Sequence, residues 1–426
     1  MTQPVEGGET PRQEGFVASE SEERAYPRAY PKQYPFRYSL YGVKSGYGDA
    51  LYRYPGADAE SAFATAGAET SQPLRVTHVG QSMVRAGIEN WLKALIRFLD
   101  PRRVRIIKCI ATEPEEIDPT VLPEMGVQVE IGGKDSVRRA ARESDVLLCW
   151  GPRDLGSWLA GERPRLCVFV AHGEGDWTRH ILEGCTPVVD HMIAVSRRVH
   201  ERVGNGLPAT VIPNGVDMSR LARTWPALRA RERLGFHADD FVLGYVGRFS
   251  DEKRSHLLID AVARLPAPFK ALFVGWGSLR LRLLDYANSR IPGRYAFVNG
   301  TNDLGDYYAM INALCLPSEE EGFGLVLLEA MMCERPVIAT SVGCVPELIC
   351  DRVNGLVISG TVESICEAAV LLHRHPAWAR GLAAEGRTIA EERGHARAMA
   401  RAYEDLLLQL WQQKFGNGQP AAAGRG

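Results

Sequence analysis

Two cations stand close together where an apolar segment of the chain ends. Residues Val242 to Val246 predict a buried strand, and Arg248 and Lys253 follow it where a loop leads into a helix. An arginine fork, a lysine ammonium group and the N–H groups of a helix N-terminus together compensate the charge of a diphosphate. The segment therefore indicates an anion site, and a solvated loop with ordinary surface charges is the alternative.

A second segment carries two carboxylates around a pair of glycines. Glu321 lies in the loop after a predicted strand, and Glu329 lies eight residues later, inside a helix that begins near Leu325. Gly322 and Gly324 let the backbone approach a ligand closely, and a carboxylate among apolar neighbours is costly to bury without partners. The two carboxylates can therefore face different parts of one extended ligand as acceptors for sugar hydroxyls.

From Leu74 onward the hydrophobic pattern alternates between strands and helices. The predicted strands are 74–79, 104–110, 127–131, 146–150, 166–171, 191–195, 241–246, 271–274, 295–298, 313–316, 337–339 and 355–357. This alternation predicts an α/β protein with two tandem Rossmann-like, doubly wound units, each built on a parallel sheet. Because ligands bind at the carboxyl ends of such strands, we expect the site in the cleft between the units.

The same patterns divide the chain into five parts. We predict a Tyr/Pro-rich tail over residues 1–72, a first unit over 73–236, a second unit over 237–390, a terminal helix over 391–415 and a disordered tail over 416–426. The N-terminal tail has too few aliphatic residues to build a core, which predicts disorder. The alternative is a segment whose Tyr rings dock on a partner or a glycan.

Composition excludes several classes of protein. Fifty basic and 52 acidic residues leave a formal charge of -2, so no global excess of positive charge exists to bind nucleic acid or anionic lipid. No apolar run approaches the roughly 18 residues of a membrane span, and the polar start lacks a signal-peptide core. Nine cysteines without a CxxC pair favour a reduced, cytoplasmic protein. Peripheral contact with the inner membrane face is compatible with these features.

The segment from Glu321 to Glu329 resembles the E-x7-E signature of the retaining glycosyltransferases of family 4, including its inner Gly-Phe-Gly-Leu. The resemblance covers roughly residues 74–412 and is more specific in the second half. Flanking segments that agree with it are Val246-Gly247-Arg248 with Lys253, Ile212 to Asp217, Val274-Gly275, Pro336 to Thr340, Val342-Gly343 and Asn354-Gly355.

The resemblance implies a GT-B fold that binds a nucleotide-sugar in the second unit and an acceptor in the first. It implies that Arg248 and Lys253 hold the donor diphosphate, that Glu321 binds the sugar, and that Glu329 binds the ribose. The donor-binding residues it implies are Gly322, Phe323, Gly324, Leu325, Val326, Glu329, Val298 and Asn299, the last two near the base.

The first unit offers candidates at the end of its strand 166–171 and at its first helix. His172 follows that strand; a structural histidine is the bland interpretation, and the resemblance implies a hydrogen bond to the donor sugar. The acceptor-side candidates are Gly87, Glu174, Asp176 and Trp177, with tight packing or loop solvation as alternatives. Where the family has a Gly-Gly pair, this chain has Ala86-Gly87.

We therefore expect a retaining glycosyltransferase that moves a sugar from a nucleoside-diphosphate donor to a carbohydrate-like or lipid-linked acceptor. The resemblance implies no protein nucleophile, no metal and no cofactor, with the leaving phosphate accepting the acceptor proton. The alternatives are a GT-B epimerase or hydrolase, and an inactive transferase-like subunit that binds partners through its tail. We also expect the units to close about a hinge within residues 214–236, bringing His172 towards Glu321.

Overall fold

The structure, a computed structural model, describes residues 72–84, 87–114, 117–204, 206–300 and 304–416. The predicted N-terminal tail lies outside the described residues except for Gln72, and the predicted C-terminal tail does so except for Gly416. The expectations of disorder and of partner docking for these tails stay predictions.

The first sheet has seven parallel strands in the order β3-β2-β1-β4-β5-β6-β7. The strands are β1 Leu74–Gly80, β2 Val104–Ala111, β3 Val129–Ile131, β4 Val146–Cys149, β5 Leu166–Ala171, β6 His191–Ala194 and β7 Ala209–Val211. The central strands β4, β5 and β6 are buried along their whole length, as in parallel sheets that helices cover on both faces. The short edge strand β7 was not among the predicted strands.

The second sheet has six parallel strands in the order β10-β9-β8-β11-β12-β13. They are β8 Phe241–Val246, β9 Phe269–Gly275, β10 Tyr295–Asn299, β11 Ala313–Leu316, β12 Val337–Thr340 and β13 Leu356–Ile358. In both sheets the order reverses beside the first strand of the unit, which is the topological switch point where α/β proteins bind ligands. The prediction of two doubly wound sheets is confirmed.

The helices that cover the sheets follow the strands along the chain. They are α1 Gly87–Phe98, α2 Lys134–Glu143, α3 Leu155–Trp158, α4 Asp176–Cys185, α5 Arg197–Val203, α6 Ala227–Arg233, α7 His256–Arg264, α8 Arg280–Arg290, α9 Gly305–Met310, α10 Leu325–Met332, α11 Val345–Leu348, α12 Val362–Arg374, α13 Pro376–Arg393 and α14 Ala396–Phe415. Three-residue-per-turn helices span Leu122–Met125, Met218–Leu221 and Asp251–Lys253.

The terminal helix α14 packs on the first sheet's side of the molecule. The fully buried Trp91 of α1 donates its indole N–H to the Tyr403 hydroxyl at 3.2 Å, and Arg103 pairs with the buried Glu404 at 3.1 Å. The chain enters α14 beside Gly215, where any Cβ would lie 2.5 Å from the backbone of His395 and Ala396. A glycine is therefore required where the segment between the sheets touches the start of α14.

The expected hinge within residues 214–236 is more ordered than its polar composition suggests. Helix α6 occupies its second half, and the buried Arg231 donates from Nε to the Met310 carbonyl at 2.7 Å and from Nη2 to Asn312 Oδ1 at 2.6 Å. These bonds tie α6 to the second sheet. Any hinge rotation would therefore fall in the part of this stretch that precedes α6.

Candidate functional site

Loops from the carboxyl ends of both sheets meet at one place. The loop between β11 and α10 lies against the loop that follows β5, and a Cβ on Gly322 would stand 1.7 Å from the His172 carbonyl oxygen. Only a glycine permits two main chains to approach this closely. The structure therefore brings His172 beside the Glu321 segment.

Glu321 is held by two side chains of the second sheet. Lys253 Nζ lies 2.9 Å from Glu321 Oε1, and the Ser318 hydroxyl donates to the same oxygen at 2.8 Å. Lys253 also donates to the Glu320 carbonyl at 2.9 Å, which ties the two loops together. Both members of the ion pair are largely buried, with 16% and 12% of their side chains exposed, so solvent screens their attraction only weakly.

Arg248 lies at the edge of the same region and is more open to solvent. Its side chain is 54% exposed and pairs with Glu252 at 3.0 Å, while its carbonyl accepts the Tyr245 hydroxyl at 2.6 Å. Burial alone would raise the pKa of Glu252, but hydrogen bonds from Ser250 and Arg248 lower it overall. Sequence reasoning placed Lys253 at a helix start, whereas it closes a 3₁₀ turn that precedes α7.

Helix α10 begins directly after the glycine pair. Gly324 is the N-cap of α10 and adopts a φ of 90°, a left-handed conformation that favours glycine. Phe323 is buried, whereas Leu325 and Val326 are half-buried and expose the first turn of the helix to the site. A Cβ on Gly87, the first residue of α1, would lie 3.9 Å from Leu325 Cδ1. The first turns of α1 and α10 therefore lie near each other across the two sheets.

Glu329 is buried and both of its oxygens have partners. Arg220 Nη1 donates to Oε1 at 2.7 Å, and the Tyr308 hydroxyl donates to Oε2 at 2.8 Å. Burial and the nearby Glu329 carboxylate raise the pKa of Tyr308, which keeps its hydroxyl proton available for this bond. Sequence reasoning missed Arg220 and Tyr308, because neither belongs to a motif.

The segment expected near a nucleotide base follows the edge strand of the second sheet. Val298 is half-buried and Asn299 is exposed at the end of β10, and the Gly300 amide donates to the Gly275 carbonyl at 3.1 Å. Residues 301–303 lie outside the described part of the chain.

His172, which directly follows β5, belongs to a cluster of rings with Trp91 of α1 and His78 of β1. Its ring centroid lies 4.5 Å from that of Trp91, edge to face, and His78 lies beyond the indole at 5.9 Å. Burial lowers the pKa of His78 to about 3, and burial together with the neighbouring His78 lowers the pKa of His172 to about 3. Both rings are therefore neutral near pH 7. Among the described residues, nothing hydrogen-bonds to His172 Nε2 or to either His78 nitrogen.

The acceptor-side candidates separate into two groups. Asp176 and Trp177 lie in the first turn of α4 and are exposed, with 46% of the Trp177 surface accessible to solvent. Asp176 forms an ion pair with Arg179 at 3.0 Å. Glu174 points inward instead: its carboxylate is 1% exposed, pairs with Arg198, and accepts the Glu321 backbone N–H at 3.2 Å. The sequence analysis did not consider Arg198.

Among the described residues, no group of three His, Cys, Asp or Glu side chains is placed to hold a metal ion. No helix there is both long enough and apolar enough to cross a membrane.

The family model for glycosyl transferases group 1 matches residues 228–375. These residues therefore form a glycosyl transferases group 1 segment within the chain. The matched residues contain Arg248, Lys253, Glu321 and Glu329, whereas His172 and the other first-sheet candidates precede them. The glycosyltransferase signature that the sequence displays therefore has its counterpart in the second sheet and its loops.

Relatives of known name agree with this assignment to group 1. The chain is 30% identical over 239 residues to the lipopolysaccharide core biosynthesis mannosyltransferase LpsB of Rhizobium meliloti, a match covering 51% of this chain and 66% of that protein. It is 33% identical over 234 residues to the D-inositol 3-phosphate glycosyltransferase of Actinosynnema mirum, covering 48% and 52%. The chain thus spans between half and two thirds of the length of these relatives.

Solved structures share the fold of this chain. Anabaena HepE, solved in complex with UDP and glucose, superposes with a TM-score of 0.70 at 20% identity and covers 79% of this chain and 99% of its own. Sucrose-phosphate synthase from Thermosynechococcus elongatus gives 0.66 at 20% identity, covering 80% and 100%. The predicted GT-B fold is confirmed.

The low pKa of the buried His78 predicts how the stability of the protein depends on pH. Between pH 6.5 and about 3 the unfolded imidazole binds a proton that the folded one does not, so stability falls as pH falls through this window. The free energy of unfolding, measured with urea, falls between pH 7.5 and pH 5.0. We expect this fall to be about 2 kcal/mol smaller in His78→Gln than in the wild type. The exposed His200→Gln should behave like the wild type, and an unchanged pH dependence in His78→Gln would contradict the burial argument.

Proposed function

We propose that this chain is a retaining glycosyltransferase that moves a sugar from a nucleoside-diphosphate donor to a carbohydrate-like or lipid-linked acceptor. The observation that carries the proposal is Glu321, a carboxylate held by Lys253 beside the start of α10, at the place where the loops of both sheets meet. The match of residues 228–375 to the group 1 glycosyl transferases and the named activities of the relatives support it.

The charges of the second sheet suit a donor diphosphate. Lys253 and Arg248 each face a carboxylate, Glu321 and Glu252, that a bound diphosphate would partly replace as their partner. The first turn of α10 adds N–H groups that lack partners within the helix, and these favour an anion. Once Lys253 turns to phosphate, Glu321 is free to accept hydroxyls of the sugar.

The nucleoside would lie along the remaining donor residues. Glu329 presents a carboxylate whose orientation Arg220 and Tyr308 fix, which suits a ribose that donates two adjacent hydroxyls. Val298 and Asn299 lie at the end of β10, where the base would lie in this arrangement. Anabaena HepE was solved with UDP and with UDP-glucose, so uridine nucleotides are the first probes to test.

The proposed transfer needs no nucleophile from the protein. The bond between the anomeric carbon and the diphosphate oxygen breaks, the acceptor oxygen bonds to that carbon on the same face, and the acceptor proton passes to the leaving phosphate. Arg248 and Lys253 stabilise the negative charge that the diphosphate gains, a type of contribution worth about 3 to 4 kcal/mol for one donor. His172, whose pKa is about 3, is too weak a base to take this proton but can hydrogen-bond a sugar hydroxyl.

The acceptor would enter from the first sheet. The exposed indole of Trp177 and the carboxylate of Asp176 offer a stacking face and a hydroxyl acceptor at the start of α4, and Gly87 leaves room beside α10. These features suit a polyhydroxyl acceptor, in keeping with the named relatives, which act in lipopolysaccharide core biosynthesis and on inositol 3-phosphate.

A panel of nucleotides tests the donor class directly. A ligand that binds only the native state stabilises it by about 2.7 kcal/mol at 100 times its Kd. We expect one of UDP, GDP and ADP, together with its sugar derivative, to raise the melting temperature of the full chain, and the other bases to raise it less. If millimolar concentrations of all of them leave the melting temperature unchanged, the proposal is wrong.

Glu321→Gln tests the role of the carboxylate. The amide keeps the shape of the side chain but loses the charge that Lys253 and a sugar hydroxyl require, so release of nucleoside diphosphate from the selected donor should fall by about 10²-fold. The matched control is Glu319→Gln, the same chemical change at an exposed position two residues earlier, which should retain wild-type turnover. Equal rates in the two variants would contradict the assignment of Glu321.

Removal of divalent metal tests the electrostatic part of the proposal. Because Arg248, Lys253 and the start of α10 supply positive potential at the diphosphate, turnover should persist in excess EDTA. Turnover is measured before and after exhaustive chelation, and after Mg²⁺ or Mn²⁺ is restored. A strict requirement for either ion would contradict the metal-independent mechanism.

A further inference from the structure

Two side chains from loops of the first sheet hydrogen-bond to the backbone of two consecutive residues beside the second sheet, Glu321 and Gly322. Glu174 Oε1 accepts the backbone N–H of Glu321 at 3.2 Å, and the Ser196 hydroxyl donates to the carbonyl of Gly322 at 3.0 Å. We call Glu174 and Ser196 the cross-sheet clamp. The clamp acts on the backbone of the residue whose side chain the proposed function assigns to the donor sugar.

Both members of the clamp are fixed by their own surroundings. Ser196 is fully buried and is the N-cap of α5, where its oxygen accepts the Val199 N–H at 3.2 Å. The Glu174 carboxylate is 1% exposed, forms an ion pair with Arg198 and lies 3.6 Å from Arg202. A buried carboxylate is costly without such partners. The chain thus holds a charged acceptor rigidly at the Glu321 amide.

The start of α5 also reaches the next loop of the second sheet. The Arg197 amide donates to Glu347 Oε1 at 2.8 Å, and Arg198 Nη1 donates to the Ser341 carbonyl at 3.3 Å. That loop touches the Glu321 segment in turn, because the Cys344 amide donates to the Phe323 carbonyl at 3.0 Å. The loop that carries Glu321 and the neighbouring segment after β12 are therefore both held from the first sheet.

We propose that Glu174 and Ser196 are positioning residues that complete the donor-sugar site by fixing the backbone of Glu321 and Gly322, and with it the direction of the Glu321 carboxylate. The inference rests on the proposed function for its chemical meaning. It gives Glu174 a different role from the acceptor-side contact that the sequence predicts. It also implies that the sugar half of the donor depends on contact between the sheets, while the nucleoside diphosphate half depends on Arg248 and Glu329.

Hydrogen exchange of the backbone amides tests the clamp without any ligand. We expect the amides of residues 319–325 in the full chain to exchange about tenfold faster in Glu174→Ala than in the wild type. Glu174→Gln should restore most of the protection, because its amide oxygen still accepts the Glu321 N–H. Arg202→Ala is the matched control: it removes the longer contact to the same carboxylate and should exchange like the wild type.

A second variant guards against loss of fold. Ser196→Ala removes the bond to Gly322 and should also speed exchange at 319–325, while the amides of α5 report separately on its lost N-cap. Protection at 319–325 that stays at the wild-type level in both Glu174→Ala and Ser196→Ala, with β8 amides unchanged, would overturn the proposal.

Ligand affinity separates a positioning role from a general structural one. With UDP and UDP-glucose, and with GDP and GDP-mannose, Glu174→Ala should weaken the sugar nucleotide about tenfold and the nucleoside diphosphate less than about twofold. Equal losses for both ligands would overturn the proposal. If the wild type binds none of these four nucleotides, and ADP and ADP-glucose do not bind either, the proposed function fails, and the exchange experiment alone still decides whether the clamp orders the Glu321 segment.

Discussion

The site depends on one close approach of two main chains. Gly322 lies so near the His172 carbonyl that any side chain at this position would collide with it. This contact brings the loop after β5 to the loop before α10, and it puts Glu174 and Ser196 within hydrogen-bonding reach of the backbone of Glu321 and Gly322. A carboxylate of one sheet and a histidine of the other can then share a ligand.

Charge is balanced within the site before any ligand is considered. Lys253 is neutralised by Glu321, Arg248 by Glu252, and Glu329 by Arg220. Removing one partner of a buried ion pair costs more free energy than replacing it with another charged group, because removal leaves an unpaired charge. A diphosphate that replaces Glu321 at Lys253 therefore leaves a carboxylate that needs new donors, and sugar hydroxyls supply them in the proposed complex.

The local sequence pattern predicted both sheets, because the residues that form a buried strand or an amphipathic helix are close together in the chain. The spacing of Glu321 and Glu329 was equally local, since the loop and helix that carry them are contiguous. The sequence did not indicate Arg220, Arg198 or Tyr308, because no local pattern marks them. Arg220 and Arg198 act on partners more than a hundred residues away, and the partner of Tyr308 lies 21 residues further along the chain. The polar residues of the stretch 214–236 between the two sheets did not indicate that Arg220 would pair with a buried carboxylate.

These partners also explain how loops from two separate sheets form one site. Glu174 and Ser196, which bond to the backbone of Glu321 and Gly322, and Arg220, which pairs with Glu329, precede the segment that matches the glycosyl transferases group 1 model. Lys253, Ser318 and Tyr308, which also hold the two carboxylates, lie inside that segment. The orientation of the groups that the proposed function assigns to the donor therefore depends on residues both inside the matching segment and before it. The two carboxylates are anchored from the first part of the chain through different elements, the β5 and β6 loops for Glu321 and the segment that carries Arg220 for Glu329, so in the proposed complex the sugar contact and the ribose contact would respond separately to changes in these elements.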